Sequence, residues 1–308
     1  MSDVNKYILN DKEREEWYDN VVKPCFLNDH ERSKNPTFYL ITGQPGAGKT
    51  TASVKIAENA KQYPVKFGGD DIRIIHPHYN EIIRDHFAEY PFITKPDMSW
   101  ARQRLIDDSL KQGFNIQMDC ILSNPNDWRM GTLLQAKEAG YRVECLALGV
   151  HKYLSEVSMF ARCEEQKNVD GNGFPPTLEV HNKAYELLPD IISKMYSEGV
   201  ADKVMVCNRD FDIYYDTDNH QNPTVQGIRK GLYQSRQSYI TKDGLNKIKA
   251  SWENVHNMMS NRQHSKDEFI QMSKCYNAFC ENSGVNNKQN KNVGDIIYIL
   301  QQANNTRK

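Results

Sequence analysis

The segment GQPGAGKT, residues 43–50, constrains this chain more than any other part of its sequence. It matches G-x-x-x-x-G-K-[S/T] in full. In such a loop the glycines let backbone N–H groups turn onto phosphate oxygens, the lysine reaches the β- and γ-phosphates, and the last hydroxyl ligates Mg²⁺. The apolar run FYLITG precedes it and a helical pattern through Ile56 and Ala57 follows it, which is the order a phosphate site requires.

We therefore predict that this loop binds ATP or GTP together with Mg²⁺. The alternative is a glycine-rich turn that binds nothing. The residues predicted to contact the nucleotide are Gly43, Gln44, Pro45, Gly46, Ala47, Gly48, Lys49, Thr50 and Thr51.

Strand and helix patterns alternate behind the loop. The strand patterns are PVKFGG, FNIQMDCIL, YRVECLALGV and DKVMVCN. Helical patterns separate them at about 79–89, 97–112, 127–139, 154–165 and 178–197. This alternation predicts an α/β fold of the P-loop NTPase type, with a parallel sheet covered by helices on both faces.

Three segments are predicted. Residues 1–35 form an N-terminal helical edge, with apolar positions at Trp17, Val21, Val22 and Phe26. Residues 36–217 form the P-loop domain. Residues 218–308 are rich in Asn, Gln, Lys and Ser, and amphipathic patterns at 245–259 and 269–279 predict an all-helical appendage with a loose tip at NNKQNKN.

Charge and cysteine usage narrow the function classes. The chain has 39 basic and 40 acidic residues and a net charge of -1, so no global field attracts nucleic acid or an anionic membrane. The seven cysteines form no C-x-x-C pair, and the N-terminus lacks a signal-peptide pattern. We expect a cytoplasmic protein that acts on a small molecule, with no nucleic acid and no membrane as partner.

The acceptor side is predicted from polar residues at strand ends. Ligands of open parallel sheets bind beyond the carboxyl ends of the strands, and Asp70 follows PVKFGG there, so it is a candidate general base. Arg73 and His76 follow in the same segment as candidate substrate contacts. Asp119 ends FNIQM and is a candidate Mg²⁺ or substrate contact, and Arg162 is placed to reach the transferring phosphate. The alternatives are helix caps for the aspartates and surface positions for the others.

These motifs resemble the zeta toxin family of P-loop kinases over about residues 36–215. The most specific element is D-x-x-R-x-x-H-P-x-Y, residues 70–79, and AGYRVECLALGV and VCNRD also match. The resemblance implies transfer of phosphate to the 3′-hydroxyl of the amino sugar in UDP-N-acetylglucosamine, and an antitoxin partner. It implies that Asp70 is the catalytic base, that Lys49 and Thr50 contact phosphate and Mg²⁺, and that Arg162 is the first lid arginine.

The chain departs from the family pattern on the acceptor side. Ile121 and Ser123 stand where the family run E-G-T-x-R has its hydroxyl and arginine, and GNGFPP, residues 171–176, lacks the second lid arginine. A substrate-binding carboxylate of the family falls at Gln103. Each lost charge-assisted hydrogen bond is worth roughly 1.5–3 kcal/mol, so binding of a diphosphate sugar is expected to weaken.

Three hypotheses about function follow from these patterns. The first is a kinase for UDP-N-acetylglucosamine or for another sugar or nucleotide metabolite. The second is a nucleotide-binding regulatory module whose acceptor site has degenerated. The third concerns residues 218–308, which either cover the nucleotide site in cis, as an antitoxin does, or form a helical extension that stabilises the sheet edge or binds a partner.

Overall fold

The computed structural model describes residues 4–66, 68–124, 129–170, 173, 176–262 and 265–284. Its central feature is a six-stranded sheet. The strands are β1 (Thr37–Thr42), β2 (Val65–Lys66), β3 (Ile116–Cys120), β4 (Arg142–Leu148), β5 (Lys203–Cys207) and β6 (Ile213–Asp216). Their order in the sheet is β2-β3-β1-β4-β5-β6, and only the pairing of β5 with β6 is antiparallel.

The helices account for most of the remaining described residues. They are α1 (Asp11–Trp17), α2 (Lys23–Leu27), α3 (Lys49–Asn59), α4 (Gly69–Arg73), α5 (Tyr79–His86), α6 (Tyr90–Ile93), α7 (Lys95–Gln112), α8 (Arg129–Glu138), α9 (Lys152–Asp170), α10 (Leu178–Ser197), α11 (Val225–Gln237), α12 (Lys242–Ser260) and α13 (Lys266–Ser283). A π-helical turn at Tyr18–Val22 joins α1 to α2. No helix in the described part of the chain is both long and apolar enough to cross a membrane.

The predicted α/β fold is confirmed, with several differences in detail. Strand β6 and the short helices α4 and α6 were not predicted, and α11 was predicted only as part of the all-helical appendage. The helix that starts at Tyr79 ends at His86 rather than near residue 89. The predicted loose tip at residues 286–292 and the predicted helix start at Asp127 lie outside the described residues. The helical character predicted after residue 217 is confirmed for α11, α12 and α13.

Strand β1 determines where the site lies. Phe38, Leu40 and Ile41 are fully buried. β1 is a central strand with parallel neighbours on both sides, and such strands are covered on both faces of the sheet, which explains its almost continuous apolar sequence. In the register between β1 and β3, Ile41 pairs with Asp119. Asp119, the predicted Mg²⁺ contact, therefore lies at the carboxyl ends of the strands, where the loop after β1 also begins.

The described residues fall into two compact units. The first comprises those in Met1–Gln44, Gly48–Gly149 and Lys183–Ser235, and it contains the whole sheet. The second comprises those in Pro45–Ala47, Val150–Asn182 and Arg236–Lys308. The domain boundaries at 35/36 and 217/218 stay predictions.

Within the first unit, a fully buried carboxylate ties the N-terminal segment to the following helices. Asp97 accepts hydrogen bonds from Arg14 Nε (2.7 Å) and from the backbone N–H of Leu9 (3.2 Å), and its Oδ2 lies 3.2 Å from His76 Nε2. Burial alone would raise the pKa of Asp97, but the hydrogen bonds from His76, Arg14 and Leu9 outweigh it and hold the pKa below its ordinary value. Trp17 adds a hydrogen bond from Nε1 to the carbonyl of Ile75 (2.9 Å).

We expect Asp97→Asn to lower the free energy of unfolding by about 1–3 kcal/mol at pH 7, because it removes the charge from a buried hydrogen-bonded pair. A lowered folded pKa stabilises the protein above the unfolded pKa of about 4, and that contribution is lost as pH falls through the folded value. The difference between the two proteins should therefore shrink in acid, as measured by urea unfolding at pH 7 and near pH 3.

The matched control is Asp85→Asn, which neutralises an exposed carboxylate paired with its neighbour Arg84. No measurable change in stability is expected there, since exposed pairs contribute little. Equal destabilisation by the two variants, or a difference that grows on acidification, would contradict the account.

Candidate active site

The phosphate loop connects β1 to α3 through two glycines in the left-handed backbone region. Gly46 has φ +75° and Gly48 has φ +92°. Helix α3 begins at Lys49, and its N-cap residue, Gly48, has no side chain with which to cap it. Because the first N–H groups of a helix have no intrahelical partner, this end of α3 can bind an anion.

Lys49 is held at the loop itself. Its Nζ donates to the carbonyl oxygens of Gly43 (2.9 Å) and Gln44 (3.0 Å). These bonds keep the ammonium group beside the carboxyl end of β1, where the motif requires it to meet the β- and γ-phosphates. Thr50 and Thr51, in the first turn of α3, have exposed side chains.

Seven residues line a cleft next to the loop. They are Thr50, Lys66, Gly68, Gly69, Asp70, Asp71 and Asp119. The structure thus brings the predicted base together with both predicted Mg²⁺ contacts. Lys66, at the end of β2, has no predicted role, although its position at the carboxyl end of a parallel strand could have indicated one.

The two adjacent aspartates of the cleft have different partners. Asp71 Oδ2 accepts the backbone N–H of Gly68 (2.8 Å) and thereby caps the start of α4. Asp70 Oδ1 accepts from Arg73 (2.7 Å), and its side chain is 81% exposed. The capping alternative therefore describes Asp71, whereas Asp70 is accessible from the cleft.

Asp119 is the more buried carboxylate. Burial raises the pKa of Asp119, and Lys66, a hydrogen bond from Ser53 and Lys49 oppose part of that rise. Its Oδ1 is buried and has no hydrogen-bond partner among the described residues. On the same face of β3, Gln117 donates from Nε2 to the hydroxyl of Ser53, so this hydroxyl is fixed between the two side chains.

The residues present fit Mg²⁺. This cation prefers oxygen donors and is usually held by one or two carboxylates or hydroxyls together with water and phosphates. Asp119 supplies a carboxylate oxygen with no hydrogen-bond partner in the described part of the chain, and the exposed Thr50 hydroxyl lines the same cleft. A cation there would also compensate the buried charge of Asp119.

His76 is placed away from the cleft. Its side chain is 1% exposed, Nδ1 accepts the backbone N–H of His78 (3.2 Å), and Nε2 faces Asp97 (3.2 Å). With Nδ1 accepting, the ring proton lies on Nε2 and is donated to Asp97. The predicted substrate contact at His76 is corrected to a structural role, because both ring nitrogens are already bonded.

The other predicted contacts are dispersed. Arg73 is the ion-pair partner of Asp70. Gln103 is exposed on α7, where Nε2 bonds Asp107 Oδ1 (3.0 Å), and it is not among the cleft residues above. Arg162 is exposed on α9, in the second unit. Asn172 and Phe174, in the predicted lid, lie outside the described residues.

Arg209 lies against the phosphate loop; it belongs to the VCNRD motif, but no role was predicted for it. A Cβ atom placed on Gly48 would lie 3.2 Å from Arg209 Nε, so this side chain rests on the loop glycine. Arg209 lies in the turn after β5. In this turn, Asn208 Oδ1 accepts the backbone N–H groups of Asp210 (3.0 Å) and Asp212 (2.9 Å). Its position after a parallel strand was the available signal.

A phosphate loop at the carboxyl ends of the strands of a parallel sheet, next to an acidic cleft, is typical of P-loop nucleotide-binding proteins, a class that includes the P-loop kinases. The profile of the Zeta toxin family matches residues 25–220, and the chain belongs to this family. The predicted family membership is thereby confirmed.

Relatives agree with this assignment. Toxin PezT of Streptococcus pneumoniae is 25% identical over 202 residues, which span 65% of this chain and 79% of PezT. Toxin zeta of Enterococcus hirae is 22% identical over 181 residues, 58% of this chain and 62% of that protein. A structure from the PezAT chromosomal toxin-antitoxin system of Streptococcus pneumoniae shares the fold, with a TM-score of 0.69 at 20% identity over 82% of this chain and 98% of that one.

We expect Gly46→Ala to weaken ATP binding at least ~10-fold. A non-glycine residue at φ +75° is strained by roughly 1–3 kcal/mol, and its Cβ would lie 2.1 Å from the carbonyl oxygen of Ser155. The matched control is Gly131→Ala on α8, where no atom of the described residues outside the helix's own neighbouring backbone lies within 4 Å of the added Cβ. Calorimetric titration with ATP should separate the two, and an unchanged affinity in Gly46→Ala would show that the loop conformation does not limit binding.

Proposed function

We propose that this protein transfers the γ-phosphate of ATP to a hydroxyl group of a small metabolite, with UDP-N-acetylglucosamine as the first candidate acceptor. The observation that carries the proposal is the accessible carboxylate of Asp70 on the same cleft as Thr50 and Asp119, with the capping role taken by Asp71. A nucleotide-binding module without chemistry would need no accessible carboxylate there.

Each residue has one proposed task. The loop N–H groups and Lys49 bind the phosphates and hold them in place, so most of the catalysis is positioning and electrostatic stabilisation. Arg73 holds Asp70 Oδ1, which leaves Oδ2 to accept the proton of the acceptor hydroxyl. Arg162 is proposed to stabilise charge on the transferring phosphoryl group.

Mg²⁺ would be held by Thr50 and Asp119, and when bound it supplies charge neutralisation on the phosphate oxygens. Ser53 orients the carboxylate of Asp119 through its hydroxyl. GTP is the alternative nucleotide, since the phosphate loop does not contact the base.

The sequence departs from the family pattern at positions that are expected to contact the acceptor. Ile121 has no hydroxyl and Ser123 has no guanidinium at the two positions where the family pattern places these groups beside a diphosphate sugar, while Lys66 adds a cation to the cleft. A different sugar or nucleotide metabolite is therefore the second candidate acceptor. Lys66 favours an acceptor that carries an anionic group.

The relatives' names also suggest the biological setting. The chain matches proteins named toxins, and the matching structure comes from a toxin-antitoxin system. We propose that this protein acts as a cytoplasmic toxin with a proteinaceous antitoxin as its partner.

Asp70→Asn is expected to keep ATP affinity within about 3-fold of the wild type and to lower phosphoryl transfer by about 10²–10⁴-fold, because an amide cannot take the hydroxyl proton. Transfer from γ-labelled ATP to UDP-N-acetylglucosamine measures the effect. If that sugar nucleotide is not phosphorylated, a metabolite extract serves as acceptor.

Asp71→Asn is the matched control, because an amide oxygen still accepts the N–H of Gly68 and the cap is kept. Most of the activity should survive in this variant. Unchanged turnover in Asp70→Asn, or an equal loss in Asp71→Asn, would contradict the proposed base. ATP binding without turnover by the wild-type protein would instead favour the regulatory module.

A further inference from the structure

Within the second unit, the two C-terminal helices share a hydrophobic core with α9. Tyr153, Val157 and Phe160 on α9 are buried in one cluster with residues of α12 and α13. The fully buried Trp252 of α12 lies 5.3 Å from Phe160 between ring centroids, and Tyr153 meets Phe279 of α13 edge-on at 5.4 Å. Helices that bury aromatic side chains in this way are joined as one folded body.

An ion cluster continues this contact toward the C-terminal end of α9. Glu164, whose side chain is only 3% exposed, accepts two hydrogen bonds from Arg262 at 2.6 and 2.7 Å. Lys167 lies 2.7 Å from Glu268, and Arg262 also reaches Glu268 at 3.2 Å. A paired guanidinium and carboxylate with two parallel bonds fix both distance and orientation.

Arg162 lies on the other side of the same helix. Residues two positions apart on an α-helix are separated by about 200°, so Arg162 is turned away from both Phe160 and Glu164. Its side chain is accordingly exposed, while those two are buried. One face of α9 is therefore committed to α12 and α13, and the opposite face carries the arginine.

We infer that α12 and α13 form a brace that fixes the position of α9, and that Arg262 is a positioning residue acting through Arg162 on phosphoryl transfer. The inference rests on the proposed function for the role of Arg162. The brace sets the axis and rotation of α9 from its buried face, and so determines where the guanidinium on the exposed face is presented.

A brace of this kind differs from a segment that covers the nucleotide site in cis. A cover has to leave its surface for the enzyme to act, but release of α12 and α13 would expose Trp252, Phe160 and the charge of Glu164 together. Removal of the residues after Thr217 should therefore yield an insoluble or inactive protein. A soluble truncated protein with higher turnover than the full chain would overturn the brace in favour of self-inhibition.

The central test is Arg262→Met in the full-length protein, assayed by phosphoryl transfer from ATP with the acceptor that the wild type uses. A displacement of about 1 Å can cost up to about 10²-fold, so we expect kcat to fall about 10-fold or more. ATP affinity should stay within about 2-fold, because Ser155, the α9 residue beside Gly46, lies at the opposite end of the helix. Arg262→Lys should recover part of the loss.

Two comparisons separate positioning from general destabilisation. Arg142→Met is the matched control, since it removes another two-bond pair, with Asp218 at 2.7 and 2.8 Å, and both of these residues belong to the first unit. It should leave kcat unchanged. In an Arg162→Ala background, Arg262→Met should cause no further fall. An equal fall in both backgrounds, or a normal kcat in folded Arg262→Met, would overturn the inference.

Amide hydrogen exchange provides a readout that does not require activity. Exchange over residues 160–168 should be faster in Arg262→Met than in Arg142→Met, and equal exchange would overturn the brace. Faster exchange combined with a wild type that transfers no phosphate would support the brace while refuting the proposed function. If Arg262→Met does not fold, the double variant Glu164→Gln/Arg262→Met replaces it in the same comparisons. This double variant removes both charges of the pair, so the carboxylate of Glu164 is not left buried without its partner.

Discussion

The left-handed turn at Gly46 and Gly48 is the constraint around which this site is organised. It redirects the chain from the buried strand β1 into α3 within a few residues, and so places the N-terminus of this helix at the carboxyl ends of the strands. Parallel pairing then sets the distance between the loop and Asp119, because the register between β1 and β3 puts Asp119 beside Ile41. The loop and the carboxylate are thus fixed by backbone geometry before any ligand binds.

The charges of the cleft follow from this geometry. Lys49, Lys66 and Arg209 place positive charge near the phosphate loop and the cleft, while Asp70 and Asp119 supply carboxylates of different burial. The buried one suits a cation and the exposed one suits proton transfer, since environment decides the role of otherwise identical groups. The segment that carries Asp70 also carries His76, and the hydrogen bond between His76 and the buried Asp97 anchors this segment to α7.

Features that depend on local pattern could be predicted from the sequence, and features that depend on distant partners could not. The loop motif, the alternating strands and the position of Asp70 after β2 are local. The structural role of His76 depends on Asp97, which is 21 residues away, and no periodicity reports that pairing. Strand β6 has only four residues at the sheet edge, too few for an alternating pattern. Arg209 reaches the loop only through the fold of the turn after β5.

The central claim is phosphoryl transfer to a small molecule, and one measurement tests it most directly. The full-length protein is incubated with Mg²⁺, ATP labelled with ¹⁸O in its γ-phosphate, and a metabolite extract, and the products are compared by mass spectrometry with those of heat-denatured protein. The account predicts one metabolite that carries a labelled phosphoryl group on a hydroxyl. Label found only in inorganic phosphate, or only in unchanged ATP, would contradict it.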